Sequence, residues 1–161
     1  MAEAVLRPVS DDYAAAPCAA LPDPFVMTRL SVIIVAKNEA LNIVDCVRSA
    51  SFADEVIVLD SGSTDGTAAL AESAGARVVV TDWPGYGAQN NRGIDLALGD
   101  WIFSLDADER ISPDLARDIQ AAIADGACDG YRVPRVSMFA GRFIKHCGWQ
   151  PDYTRRLVRR G

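Results

Sequence analysis

Leu30-Ser31-Val32-Ile33-Ile34-Val35-Ala36-Lys37-Asn38-Glu39 is an aliphatic run that ends abruptly in polar residues. A β-branched run without polar alternation predicts a strand buried on both faces of a sheet. The stretch beyond it changes period: Ile43, Cys46, Val47 and Ala50 fall at i, i+3, i+4 and i+7, one face of a helix. The same pair of signals then recurs. Glu55–Leu59 reads as a second buried strand and Asp65–Ala74 as a second helix, while Arg77–Val80 is a third strand. Tyr86–Leu98 follows as a helix with Ile94, Ala97 and Leu98 on one face, and Trp101–Leu105 is a fourth strand. Ser112, Pro113 and Asp114 sign the start of one more helix, with Leu115, Ile119, Ala122 and Ile123 inward and Gly126 at its end. Beyond Asp129 the pieces shorten to strand-like Tyr131–Val133 and Phe139–Ile144.

Repeated strand–helix alternation predicts an α/β fold with a mostly parallel central sheet and helices on both faces. Such sheets bind ligands outside the carboxyl ends of their strands. Polar clusters sit at three of those ends: Lys37-Asn38-Glu39, Asp60-Ser61-Gly62-Ser63-Thr64-Asp65-Gly66-Thr67, and Asp106-Ala107-Asp108-Glu109. Asp60, last in its strand, is placed to face a crevice and accept N–H groups such as those of a base edge. Asp106 and Asp108 share a side if the strand geometry continues through them. Two carboxylates so placed suit Mg²⁺ or Mn²⁺ held jointly with a diphosphate. Each cluster also has a plainer reading. Ser61–Thr67 can be a capped βα turn with Ser63 or Thr64 as the cap, Asn38 and Glu39 can start a helix, and Asp65 can serve a helix dipole.

Other chemistries find little to work with. There is no GxxxxGK[ST], and Gly85-Tyr86-Gly87 lacks the third glycine of a dinucleotide fingerprint. His146 is the only histidine, which starves a metal cluster or a Ser-His-Asp triad. Cys18, Cys46, Cys128 and Cys147 match no zinc spacing and need no disulfides, so a reduced compartment is expected, with Cys46 in the core. No apolar run reaches the roughly 20 residues of a membrane-spanning helix.

Charge is uneven. Residues 131–161 hold eight basic residues against Asp152 alone, a net of 8 − 1 = +7, leaving 8 − 21 = −13 for residues 1–130. The basic end is either a solvated face or a site for an anionic partner. Residues 1–28, with four of the eight prolines and no hydrophobic period, are expected to be a flexible lead-in without an export signal. Residues 29–161 form the expected domain.

The motifs Ser31–Glu39, Val58–Thr67 and Leu105–Glu109, in this order, resemble those of the family 2 glycosyltransferases, nucleotide-sugar enzymes of the Rossmann-like GT-A fold. Lys37–Ile43 and Gly148–Tyr153 with Arg156-Leu157 are most similar to the lipopolysaccharide core glucosyltransferase branch. The resemblance implies transfer of a sugar from a nucleoside-diphosphate sugar, a UDP-sugar above all, to a glycan or lipid-linked hydroxyl with inversion. It implies base recognition by Asp60, a nucleoside pocket lined by Asn38 and Glu39, and Asp106 near the ribose or diphosphate. Asp108, with Asp106, would hold the divalent cation, and Asn91 is a further donor-side candidate.

The family's catalytic base lies downstream of the DxD. Asp152, the only acid after Asp129, does not match that motif, so no base is assigned and the carboxyl-terminal part of the domain is expected to be missing. Unpaired cysteines place the protein in the cytoplasm, and the basic end, with Arg155, Arg156, Arg159 and Arg160, would suit phosphate-bearing acceptors or peripheral contact with an anionic membrane surface; no nucleic-acid partner is expected. A non-catalytic nucleotide-sugar-binding module is the alternative. A sugar-phosphate nucleotidyltransferase is disfavoured because Ala36–Glu39 lacks a Gly-rich loop.

Overall fold

The computed structural model describes residues 6–9, 28–136, 138–139, 142–143 and 152–161. The strands are β1 (Arg7–Pro8), β2 (Leu30–Ala36), β3 (Glu55–Asp60), β4 (Arg77–Val80), β5 (Trp101–Asp106), β6 (Gly130–Arg135), β7 (Met138–Phe139), β8 (Arg142–Phe143) and β9 (Asp152–Arg159). The helices are α1 (Ile43–Ser49), α2 (Thr67–Ser73), α3 (Tyr86–Leu96) and α4 (Pro113–Asp125). Seven strands make one sheet in the order β1-β6-β9-β5-β2-β3-β4, and β7 pairs with β8 apart from it.

Strand direction follows from the pairings. β5, β2, β3 and β4 are mutually parallel. β9 is antiparallel to β5 and β6 is antiparallel to β9, so β6 again runs with β5. β1 opposes β6. Five of the seven strands therefore point one way, which is the mostly parallel sheet expected.

β2 lies in the middle of the parallel half, and its side chains feed two cores. Val32, Ile34 and Ala36 pack with Ile43, Cys46 and Val47 of α1, Ala71 of α2, and Leu115, Ile119 and Ile123 of α4. Ile33 faces the other way, with Ile57, Leu59, Ala97 and Ile102, and Ile94 of α3 against them. A strand buried on both faces needs a continuous aliphatic run, and helices on both faces supply the cover.

The helix ends carry their expected signals, with two adjustments. Ser112 Oγ accepts the Leu115 N–H at 3.1 Å, and Gly126 closes α4 with φ +61°. α2 starts two residues later than expected, because Gly66 is left-handed at its N-cap. The cap contact comes from Asp65, which accepts the Thr67 N–H at 3.0 Å, and not from Ser63 or Thr64. α3 ends at Leu96; Ala97 turns extended and is buried, while Leu98, expected on the inner face, is 59% exposed. Ile94 and Ala97 face inward as expected, and the inner face of α3 also holds Gln89 and Gly93. A Cβ at Gly93 would meet Ile33 Cγ2 at 2.5 Å, so glycine is what lets the helix lie close on the sheet.

Part of the segment expected to be flexible is structured. Arg7 and Pro8 pair with Arg132 and Tyr131, Val9 N–H reaches the Gly130 carbonyl at 2.9 Å, and the Arg7 guanidinium sits 4.4 Å from the centre of the Tyr153 ring. β7 and β8 fall in the expected strand-like piece, whose residues 140, 141 and 144 lie outside the described residues, as do Cys18, Cys147 and His146. Cys46 has no exposed surface, as expected of a core thiol, and burial pushes its pKa up to about 12. No described helix is long and apolar enough to cross a membrane.

Candidate active site

The carboxyl ends of β5, β2, β3 and β4 share one edge of the sheet. Ala36 is level with Asp60 on one side and Val35 with Asp106 on the other. With strands about 4.8 Å apart, the two acids flank the end of β2 at about 10 Å, so widely separated sequence positions meet at one rim. A cleft of about 400 Å³ opens over this rim, lined by Val35, Ala36, Lys37, Glu39, Trp83, Tyr86, Asp106, Ala107 and Asp108.

The β2–α1 and β3–α2 loops are fastened to each other. The Asn38 N–H donates to Ser63 Oγ at 2.8 Å, and Asn38 Oδ1 accepts the Thr64 N–H at 2.9 Å. The Glu39 N–H donates to Thr67 Oγ1 at 2.8 Å, and the Ala40 N–H to Asp65 Oδ2 at 3.0 Å. Asn38 adopts φ +56°, a conformation asparagine tolerates better than most residues. The Thr67 hydroxyl first, then the Ala40 N–H, hold the exposed Asp65 carboxyl below its usual range. Asp65 is thus a loop clasp. Asn38 does the same work and is not among the cleft-lining residues, whereas Glu39 lines the cleft while accepting Asn42 Nδ2 at 2.8 Å.

Asp60 lies deeper than expected. It is 1% exposed and does not line the cleft. Strand alternation puts its side chain on the Val58 side of the sheet, toward α1 and α2. Its Oδ2 accepts the Ser63 N–H at 2.9 Å, and its Oδ1 is the buried side-chain oxygen left without a partner among the described residues. A buried acceptor left unpaired costs roughly 1–3 kcal/mol.

The DxD departs from simple alternation. β5 ends at Asp106, and Glu109 N–H bonds back to the Asp106 carbonyl at 2.9 Å, so Ala107 and Asp108 lie in a turn. The extended geometry expected through both acids stops after the first, yet both line the cleft. Asp106 Oδ2 is bound by Arg156 Nη2 at 2.7 Å, and Arg156 also reaches Glu109 at 2.9 Å. Burial would lower the Arg156 pKa, but Asp106 and Glu109 outweigh it and hold the guanidinium above its usual range. Burial first, with Asp106 behind it, raises Glu109 against the pull of Arg156. Asp108 is exposed and has no hydrogen-bond or ion-pair partner among the described residues.

No group of three or more metal-ligating side chains occurs among the described residues. The donor set fits a shared cation all the same, because Mg²⁺ usually takes one or two carboxylates and completes its shell with waters and substrate phosphates. Asp108 and the Asp106 oxygen that Arg156 does not bind supply such a pair.

Two residues that matter here escaped the sequence reading. Gln89 has no exposed surface, and its Nε2 lies 2.7 Å from the Thr81 hydroxyl, 2.9 Å from that of Ser61 and 3.1 Å from the Asp82 carbonyl. Its neighbour Asn91, the expected candidate, is exposed and does not line the cleft. Arg156 was counted as part of a basic surface, but it is buried and paired. Arg159 pairs with Asp129 at 2.9 Å and Arg160 donates to the Ala97 carbonyl, which leaves Arg155 alone of the four without a partner among the described residues.

The model of the family described as "Glycosyl transferase family 2" matches residues 31–160. An uncharacterized glycosyltransferase of Rickettsia felis is 40% identical over 113 residues, covering 70% of this chain and 40% of that protein. The lipopolysaccharide core biosynthesis glycosyltransferase LpsC of Rhizobium meliloti is 35% identical over 145 residues, covering 82% of this chain and 51% of its own length. The crystal structure of glucosyl-3-phosphoglycerate synthase from M. tuberculosis in complex with uridine-diphosphate superimposes with a TM-score of 0.50 and 33% identity, over 55% of this chain and 37% of that one. The chain spans about 40% of the length of the first of these relatives.

Proposed function

The chain belongs to glycosyl transferase family 2, and on that premise we propose that it carries the donor-binding half of an inverting glycosyltransferase. The donor is a nucleoside-diphosphate sugar, a UDP-sugar in the first instance, and the acceptor a hydroxyl of a glycan or lipid-linked saccharide. The observation that carries this reading is the cleft over the strand ends, with Asp108, which has no partner among the described residues, and the paired Asp106 in its wall. Two further points support it: the buried Asp60 Oδ1, next to the cleft rim, keeps acceptor capacity that no described residue meets, and the similar glucosyl-3-phosphoglycerate synthase was crystallised in complex with UDP.

In this reading Asp60 recognises the base and Glu39 lines the nucleoside end. Asn38 stiffens the same loop, and Asn91 is given no part. Asp108 and Asp106 hold a divalent cation, Mg²⁺ or Mn²⁺, whose chemistry is to neutralise charge on the departing diphosphate. Arg156 fixes the Asp106 carboxylate and Lys37 faces the cleft. Transfer with inversion also needs a carboxylate to take the acceptor proton, and no residue of this chain is assigned that role. The likeness to a lipopolysaccharide core enzyme supports a cell-surface glycan acceptor and work in the cytoplasm at the membrane face. Arg156 and Arg159 are ion-paired, which leaves Arg155 and Arg160 as the charges of the four without an acidic partner among the described residues for that contact.

A second reading, a nucleotide-sugar-binding module without transfer, is favoured by Asp152. The only acid after Asp129 is clamped by Arg135 at 2.7 and 2.9 Å and is not free to act as a base. Calorimetry with UDP, ADP, GDP and CDP, in Mn²⁺ and in chelator, tests donor binding. Metal-strengthened binding of at least one nucleotide is expected, and none at all would overturn both readings. Release of free sugar from UDP-glucose in Mn²⁺ separates the enzyme from the module.

A further inference from the structure

The cleft has two unlike ends. Acids gather at the β5 end, whereas the β4 end is walled by Trp83 and Tyr86. Trp83 is 44% exposed and Tyr86 68%, in contrast to Trp101 at 1%. Their rings meet edge to face, with centroids 4.8 Å apart and planes at 86°. An edge-on pair covers at most one ring face, so flat aromatic surface is left open to the cleft. Aromatic side chains held in water at a cleft wall are unusual enough to ask for an occupant.

The wall is built to stay in place. Gln89, wholly buried at the start of α3, ties Thr81 and Asp82 to Ser61. Its Oε1 accepts Arg92 Nη1 at 2.9 Å, and Arg92 pairs with Asp82 at 3.0 Å. The Thr81 N–H donates to the Asp60 carbonyl at 2.8 Å. A buried amide is stable only when bonded, and these bonds set the Trp83 loop in register with the end of β3, where Asp60 has its unpaired oxygen. The aromatic wall and that acceptor thus belong to one hydrogen-bonded unit. The acids at β5 lie three strand spacings away, roughly 14 Å, a span that a nucleoside bearing a diphosphate can bridge.

We propose that Trp83, buttressed by Tyr86, is the stacking surface for the nucleobase of the donor and so a determinant of nucleotide affinity. This rests on the donor-binding reading above and adds to it the residue that grips the base. A base presents a π face to the ring, and the loop that carries the ring is bonded to the end of β3 through the Thr81 N–H and the Asp60 carbonyl.

The test is calorimetry on the whole chain in Mn²⁺, with UDP, UDP-glucose and inorganic pyrophosphate as probes, for wild type, Trp83→Ala and Trp83→Phe. Trp83→Ala should weaken UDP about 5- to 150-fold, the range of one base–aromatic stack. Pyrophosphate affinity should not change, and Trp83→Phe should restore most of the loss. Equal UDP affinity in wild type and Trp83→Ala overturns the proposal. So does an equal loss for pyrophosphate, which would mark a damaged fold, or a loss confined to the advantage of UDP-glucose over UDP, which would place the ring at the sugar. Wild type that binds pyrophosphate but not UDP, ADP or GDP sinks the donor reading itself, and this proposal with it.

Discussion

The two ends of the parallel strands carry similar residues and use them oppositely. At the amino end, Asp54 accepts the Leu30 N–H at 2.8 Å and Asp100 the Arg29 N–H at 2.9 Å. Glu55 takes the Ser31 hydroxyl at 2.8 Å, the Leu98 N–H at 3.0 Å and Arg77 at 3.2 Å. Ser31 Oγ in turn accepts the Gly99 N–H at 2.9 Å. Acids there are used up by the fold. At the carboxyl end Asp60 keeps an orphan oxygen, Asp108 has no partner among the described residues, and Trp83 and Tyr86 stand exposed. Unmet bonding capacity concentrated at one end of otherwise well-paired strands is what distinguishes a binding edge from a structural one.

That contrast breaks if substitutions at the two ends have the same consequence. The largest effect is expected for Asp108→Asn. Altering groups that merely support a metal ligand costs 10–100-fold in metal affinity, so loss of a ligand charge should lower the Mn²⁺-dependent part of UDP affinity by about 100-fold or more. Thermal stability should barely move, since surface changes free of partners stay within about 0.5 kcal/mol. Calorimetry in Mn²⁺ and in chelator, with a melting curve, reads both.

Asp60→Ala should act next, and differently. Hydrogen bonds to charged groups contribute about 1.5–3 kcal/mol, so UDP should weaken about 10- to 150-fold with or without metal. A loss seen only in Mn²⁺ would move Asp60 from the base to the cation.

At the opposite edge, Glu55→Ala should cost about 2 kcal/mol of stability in urea, because it strands the Ser31 hydroxyl and the Leu98 N–H. UDP affinity should be unchanged. A variant equally stable, or one that loses UDP while still folded, would erase the difference between the ends.

How much of this was readable in the residues differs by kind of signal. β2, β3 and α4 were legible because aliphatic runs, a Ser-Pro-Asp start and a glycine stop act locally. The place of β9 between β5 and β6 was not, since pairing between distant segments leaves no period in either one. The acids were legible as strand-end residues, but their environments were not. Asp60 looked open and is buried, because the Ser61–Thr67 loop folds over it. Gln89 hid in a helix whose inner face was assigned to Ile94, Ala97 and Leu98; its spacing of four from Gly93 and eight from Ala97 was the available clue. Arg156 was indistinguishable from Arg155 by charge, and the register shift that sets it apart, with Leu157 opposite Tyr131 but Arg155 opposite Arg132, leaves no period in the sequence.

The smallest expected effect concerns acidity, and it has opposite signs at the two ends. Burial alone would raise Glu55, but the Leu98 N–H, the Ser31 hydroxyl and Arg77 together hold it below 4.5. Between that lowered value and 4.5 the unfolded chain binds the proton more strongly, so stability rises with pH there and is lost on acidification. Glu109 is raised above 4.5, chiefly by burial, so between 4.5 and its own value the folded chain holds the proton better and stability falls as pH rises. The useful quantity is the difference between each variant and wild type. In chelator, Glu55→Gln should flatten the urea-stability curve below pH 4.5, and Glu109→Gln should flatten only its decline above that pH. If both variants altered the same limb, the two edges would not differ in how they hold charge, and the division between a structural end and a binding end would lose its electrostatic basis.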